Sequence, residues 1–104
     1  MRKFHELKIK EVIKETPDAV SITFEVPTKL EKVFTFVQGQ HLTLRKEING
    51  EDLRRSYSLC TSVNEGKLKV AIRKVIGGRF SNFANENFKK GDLVEVMAPA
   101  GHFY

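Results

Sequence analysis

Arg55, Tyr57 and Ser58 fall within one short stretch, Arg54-Arg55-Ser56-Tyr57-Ser58-Leu59-Cys60, which mixes aromatic, hydroxyl and aliphatic residues without glycine or proline. Such a composition predicts a β-strand. Side chains alternate along a strand, so Arg55 and Tyr57 share one face, about 7 Å apart. A guanidinium can grip a phosphate in bidentate fashion, and a phenol ring offers a flat surface to a flat ligand. A ligand whose aromatic system is joined to a phosphate by a short chain fits along such a strand. On spacing alone, however, Arg55 reads more simply as a solvated strand arginine and Tyr57 as a ring packed in the sheet wall.

A second constellation follows in Arg73-Lys74-Val75-Ile76-Gly77-Gly78-Arg79-Phe80-Ser81. Paired glycines let backbone approach a phosphate closely, and a helix start presents unpaired N–H groups with partial positive charge. Ser81 can cap that helix or donate to a phosphate, two roles that compete for one hydroxyl. An ordinary loop with a capped helix explains Ser81 equally well. It does not explain two glycines and an arginine after the strand that follows the Arg55–Tyr57 hairpin. His5, His41 and His102 are scattered without metal-ligand spacing, and no cysteine cluster exists for an iron–sulfur centre, so no metal site is expected.

The elements that must hold these residues are short strands. Residues 4–15 mix Leu7, Ile9, Val12 and Ile13 with charges, predicting a strand whose phase shifts once at a bulge. After the turn signal Thr16-Pro17-Asp18, Val20, Ile22, Phe24 and Val26 alternate with polar residues as a half-buried strand that Pro27 ends. Residues 28–38 read as an irregular link in which Leu30, Val33, Phe34 and Phe36 plug one barrel end. A third strand runs over 41–48, and Asn49-Gly50 is a strong hairpin signal because both positions tolerate positive φ. The motif strand, 51–62, then pairs antiparallel with 41–48. Glu65-Gly66 marks another hairpin, 68–72 a fifth strand, and a short helix runs from Arg79 or Ser81 to Asn87 with Ser81 as N-cap. Lys90-Gly91-Asp92 turns into a sixth strand, 93–98. Six short strands with hairpin turns and one helix predict an all-β fold, a six-stranded antiparallel Greek-key barrel with one short α-helix.

The 104 residues, 40% hydrophobic and 30% charged, suit one globular domain. No apolar run approaches the roughly 20 residues needed to cross a bilayer, so no membrane partner is expected. The amino terminus has no apolar signal core, and the lone Cys60, read as a small buried hydrophobe, fits a reducing compartment; both suggest the cytoplasm. Eighteen Lys and Arg against 13 Asp and Glu, a net charge of +5, favour anionic ligands or acidic partners. The lysines at 8, 10, 14, 67, 69, 89 and 90 read as solvated faces, with docking of an acidic electron-transfer partner as the sharper alternative.

Arg55-Ser56-Tyr57-Ser58 resembles the R-x-Y-S/T signature of the flavin-binding domain of the ferredoxin–NADP⁺ reductase superfamily. Three further stretches match in order. Val37-Gln38-Gly39-Gln40-His41-Leu42 resembles the family's lead-in to a barrel strand, with Gln38 where proline is usual. Val75-Ile76-Gly77-Gly78-Arg79-Phe80-Ser81 resembles its phosphate-binding loop. Gly91-Asp92-Leu93-Val94-Glu95-Val96, then Pro99-Ala100-Gly101-His102-Phe103, resembles the last barrel strand and the exit toward a nicotinamide domain. The resemblance covers nearly the whole chain and is nearest to reductase components of bacterial multicomponent oxygenases, particularly the phenylacetyl-CoA epoxidase type.

That resemblance implies FAD as cofactor, with Arg55 on the pyrophosphate, Tyr57 stacked on the isoalloxazine, and Ser58 as the catalytic residue at the flavin N5 edge. Ser56, Gly78, Arg79, Phe80 and Ser81 complete the cofactor set. So do Arg73 and Val75, whose family counterparts line the ribityl chain and phosphate largely through backbone groups. Simple alternation puts Ser58 on the face opposite Tyr57, so either the strand twists there or the backbone N–H makes much of the contact. FAD fits better than FMN, since the Gly77-Gly78 turn suits an internal pyrophosphate; Phe80 and Phe83 are open candidates for the adenine. The implied activity is transfer of electrons from NAD(P)H through the flavin to an iron–sulfur centre that supplies an oxygenase in aromatic degradation. Residues 1–104 would then be the FAD barrel, with the nicotinamide-binding and iron–sulfur domains lying outside this chain. The competing class is a basic translation-factor-like barrel that binds RNA. Charge and aromatics permit it, but do not predict R-x-Y-S followed by G-G-R-F-S, so no nucleic-acid partner is expected.

Overall fold

The computed structural model describes residues 3–60 and 67–101. Its elements are β1 (Phe4–Thr16), β2 (Ala19–Glu25), a 3₁₀ turn (Thr28–Leu30), β3 (His41–Ile48), β4 (Glu51–Ser58), β5 (Leu68–Arg73), α1 (Arg79–Asn87) and β6 (Leu93–Met97). The strands form one antiparallel sheet in the order β4-β3-β6-β1-β2-β5. The two edges, β4 and β5, approach at the Leu59–Val70 bridge, where the Cys60 N–H donates to the Lys69 carbonyl at 2.9 Å. The sheet is therefore barrel-like, but β4 stays unpaired on its outer side over Glu51–Ser58 among the described residues.

Alternation builds the core. Leu7 and Ile9, Leu42 and Leu44, Leu68, Val70 and Ile72, and Val94 and Val96 all turn inward and are almost wholly buried. α1 packs against the sheet through Phe80, Ala84 and its C-cap Phe88, and touches β2, β3, β4 and β5. The Asn49-Gly50 turn has φ of +52° and +80°, the left-handed pair that a two-residue hairpin requires. It sets the β3–β4 register, in which every residue from His41 to Ile48 has a partner and no bulge intervenes.

Several sequence expectations are corrected here. β2 is not half-buried: Ser21 and Thr23 are covered as well, and the Ser21 hydroxyl donates to the Glu15 carboxylate at 2.7 Å. β1 shifts register twice, not once, after Ile9 and after Lys14. In the link, Phe34 and Phe36 are buried and Leu30 packs on the core, but Val33 faces outward. Cys60 is exposed, not a buried hydrophobe. β4 ends at Ser58 because Leu59 turns to bridge β5; residues 61 and 62 and the Glu65-Gly66 hairpin lie outside the described residues. β6 ends at Met97. Among the described residues, no helix is long and apolar enough to cross a membrane.

Candidate functional site

The unbroken β3–β4 register decides which β4 side chains share a face. Tyr57 stands opposite Leu42, Arg55 opposite Leu44 and Leu53 opposite Lys46. Glu51, Leu53, Arg55 and Tyr57 thus lie on the face that carries the buried leucines. At the sheet edge, that face is only partly covered: Leu53 is buried, Tyr57 half-buried, and Glu51 and Arg55 exposed. Ser56 and Ser58 lie on the other face, and the Ser56 hydroxyl hydrogen-bonds Thr43 Oγ1 at 2.8 Å. The expected set is therefore split by the pleat, with Arg55 and Tyr57 together and the two serine hydroxyls away from them.

Backbone geometry resolves the tension at Ser58. His41 exchanges both backbone hydrogen bonds with Ala100, at 2.9 and 3.0 Å, so the His41–Ser58 pair is of the non-hydrogen-bonded kind. The backbone N–H groups of Ser58 and Ser56 consequently point away from β3, toward the open edge of β4. The Arg54 carbonyl points the same way, and Arg55 Nη1 donates to it at 2.7 Å. Through their backbones, then, the serines face the same opening as the Arg55 guanidinium.

The start of α1 borders that opening. The Tyr57 and Phe80 rings are 6.0 Å apart and tilted by 38°, and the Glu51 carboxylate forms an ion pair with Arg79. Arg55 lies between Glu51 and Tyr57 on their shared face, so both of those neighbours contact the first two residues of α1. The helix N-cap is Gly78, not Ser81, and no side chain caps the first turn. Asn82 makes the first helical bond, to the Gly78 carbonyl at 3.0 Å, so the N–H groups of Arg79, Phe80 and Ser81 carry the partial positive charge of an uncapped helix end.

Ser81 is displaced from the N-cap role because its hydroxyl braces the loop. It accepts from the Val75 N–H at 3.1 Å and donates to the Gly78 carbonyl at 3.2 Å. The Val75 carbonyl in turn accepts from the Gly78 N–H at 2.7 Å and from Asn82 Nδ2 at 3.2 Å. The backbone groups of Val75 are thus committed to the loop itself, and what Val75 presents outward is its side chain, beside a fully exposed Ile76. The two glycines serve different ends. Gly77 adopts φ of +75°, which other residues avoid, whereas a Cβ on Gly78 would meet Ser81 Oγ at 2.6 Å and the Val75 carbonyl at 3.0 Å. Gly78 is closely packed against its own loop, with no room for a side chain.

Two expected residues sit elsewhere. The Phe80 side chain is 1% exposed and packed on Phe88 as well as Tyr57, so it belongs to the core and only its backbone N–H is available. Arg73 alternates with buried Ile72 and extends from the outward face of β5. Sequence reasoning missed Glu51, although its even spacing from Arg55 and Tyr57 was the available signal; nothing local marks Asn82.

Burial pushes the Tyr57 phenol above its ordinary range, and the Arg55 charge offsets this only in part. Tyr57 is therefore a neutral, largely apolar platform flanked by a cation. A ring surface, a guanidinium, uncapped helix N–H groups and two strand N–H groups around one opening suit a flat heteroaromatic ligand bearing phosphate. The uncapped start of α1 and the unpaired edge of β4 fit the flavin nucleotide that the motifs imply.

The family model described as oxidoreductase FAD-binding domain matches residues 6–104. A 1,2-phenylacetyl-CoA epoxidase component of Escherichia coli K12 is 48% identical over 103 residues, which cover 99% of this chain and 29% of that protein. The glycine betaine monooxygenase reductase component of Pseudomonas aeruginosa PA14 is 35% identical over 100 residues, 95% of this chain and 27% of that protein. Among solved structures, the flavohem-like FAD/NAD-binding domain of nitric oxide dioxygenase from Vibrio cholerae superposes with a TM-score of 0.84 at 26% identity, covering 99% of this chain and 46% of that one. Phthalate dioxygenase reductase, described as modular for electron transfer from pyridine nucleotides to 2Fe–2S, superposes with a TM-score of 0.79 at 31% identity, covering 97% and 31%. The chain spans less than a third of the length of either curated relative.

Proposed function

Because this chain belongs to the oxidoreductase FAD-binding domains, we propose that it seats FAD along the open edge of β4, as one domain of an NAD(P)H-dependent reductase. One observation carries the placement: the strand face bearing Arg55 and Tyr57 abuts the uncapped start of α1, through the Tyr57–Phe80 and Glu51–Arg79 contacts. Arg55 grips the pyrophosphate, helped by the N–H groups of Arg79, Phe80 and Ser81. Tyr57 stacks beneath the isoalloxazine and shields one side of it from water. Ser58 meets the N5 edge, with its backbone N–H better aimed than its hydroxyl. Ser81 and Gly78 act by holding the loop shape.

When bound, the flavin supplies acceptance of a hydride and release of electrons one at a time. The nicotinamide nucleotide would bind a further domain, and the acceptor would be an iron–sulfur centre. The similarity to oxygenase reductases, above all to the phenylacetyl-CoA epoxidase component, supports an oxygenase of aromatic degradation as the destination. We place the protein in the cytoplasm, where Cys60 stays reduced. The family match supports the flavin reading over the RNA-binding one.

Titration of the purified chain with FAD, followed by flavin absorbance and fluorescence, tests the reading. Saturable one-to-one uptake is expected, with little NADH or NADPH oxidation by this chain alone. Protein that takes up neither FAD nor FMN would refute it.

A further inference from the structure

We infer that Glu51 and Arg79 form a latch that sets the preference of this site between flavin mononucleotide and flavin dinucleotide. The inference rests on the flavin placement proposed above. The ion pair joins the first residue of β4 to the first residue of α1, and so crosses the mouth between strand edge and helix start. Glu51, Arg55 and Tyr57 lie on one face, so the carboxylate sits about 20 Å along the strand from Tyr57, beyond Arg55. A flavin stacked on Tyr57 with its first phosphate at Arg55 occupies only the near part of that path. The mononucleotide ends there. The second phosphate and adenosine of the dinucleotide continue toward Glu51.

Two effects then act only on the dinucleotide. The Glu51 carboxylate repels the added anionic group, and the Arg79 guanidinium that could grip a phosphate is already committed to Glu51. Both side chains are about half exposed, 49% for Arg79 and 51% for Glu51, so the pair is solvent-screened and can open. Its effect is accordingly a matter of a few-fold in affinity, not of orders of magnitude. Once released, Arg79 can turn its fork onto the pyrophosphate from the helix side, opposite Arg55. Were the pair only a tie holding α1 to β4, removing the charge of Glu51 would affect FAD and FMN alike.

The test measures dissociation constants for FAD and FMN, at low ionic strength, in the wild-type chain, E51Q, R79A and the double variant, with circular dichroism to verify folding. E51Q keeps the side-chain shape at an exposed position. It should tighten FAD roughly two- to fivefold while leaving FMN unchanged, and the gain should shrink in the R79A background, where only the repulsion by Glu51 is left to relieve. An unchanged FAD-to-FMN ratio in E51Q, or weaker FAD binding, would overturn the latch while leaving the flavin site standing. A wild-type chain that takes up neither flavin would overturn both.

Discussion

The Tyr57 ring lies 6.0 Å from the Phe80 ring, tilted by 38°, and this contact docks the strand bearing Arg55 onto the second residue of α1. It turns an edge strand and a helix start, separated in sequence by β5 and a loop, into two sides of one opening. The same contact makes Tyr57 a platform held from beneath, because Phe80 is itself locked in the core by Phe88.

Arg55 is the one guanidinium on the platform face of β4. Its Nη1 donates to the Arg54 carbonyl, which leaves its other donors for an anion. Arg55→Ala should weaken FAD by about 1.5–3 kcal/mol, roughly ten- to hundredfold. Arg55→Lys should recover only part of this, since an ammonium lacks the bidentate fork. Calorimetric titration of both variants provides the check, and unchanged affinity in Arg55→Ala would remove this residue from the site.

Ser58 and its backbone can be separated. The hydroxyl lies on the far face while the N–H points to the open edge, so Ser58→Ala should hold FAD affinity within about threefold of wild type. A loss of tenfold or more in a fluorescence titration would show that the hydroxyl reaches round the edge after all.

The two loop glycines should fail differently. Gly77→Ala meets open space but a φ of +75°, so about 1–2 kcal/mol of stability should be lost with the close packing at Gly78 intact. Gly78→Ala drives a methyl against Ser81 Oγ and the Val75 carbonyl, and should lose both stability, by about 1–3 kcal/mol, and flavin affinity. Denaturant melts and FAD titrations on the pair separate backbone strain from steric filling.

Phe80 is expected to act on stability, not on recognition. Phe80→Ala should cost about 3–5 kcal/mol, enough to threaten folding of a domain of this size. The milder Phe80→Leu should lower the Tm yet keep FAD affinity of the folded fraction within about threefold. Thermal melts beside titrations decide the matter.

The raised pKa of Tyr57 has a definite sign. Burial favours the neutral phenol in the folded chain, so this stabilisation is present below the ordinary tyrosine value of about 10 and is lost as pH rises through the higher folded value. The chain has two tyrosines, Tyr57 and Tyr104. Subtracting a Tyr57→Phe titration from the wild-type one, at phenolate wavelengths, should isolate a step above pH 10; a step below it would contradict the burial argument.

Short-range chemistry was legible in the letters. Alternation put Arg55 and Tyr57 on one face, Asn49-Gly50 pinned the hairpin that keeps them there, and the Gly77-Gly78 pair marked the break before α1. These depend on backbone pleat and turn sterics, which act over a few residues. Which elements become neighbours was not legible, because strand order is settled by how buried faces pack across the whole chain. That packing left the β4 edge open against α1, sank Phe80 into the core and brought Glu51 to Arg79. It also turned Ser81 from the expected cap into a brace, since only the folded loop brings the Val75 N–H and the Gly78 carbonyl within reach of one hydroxyl.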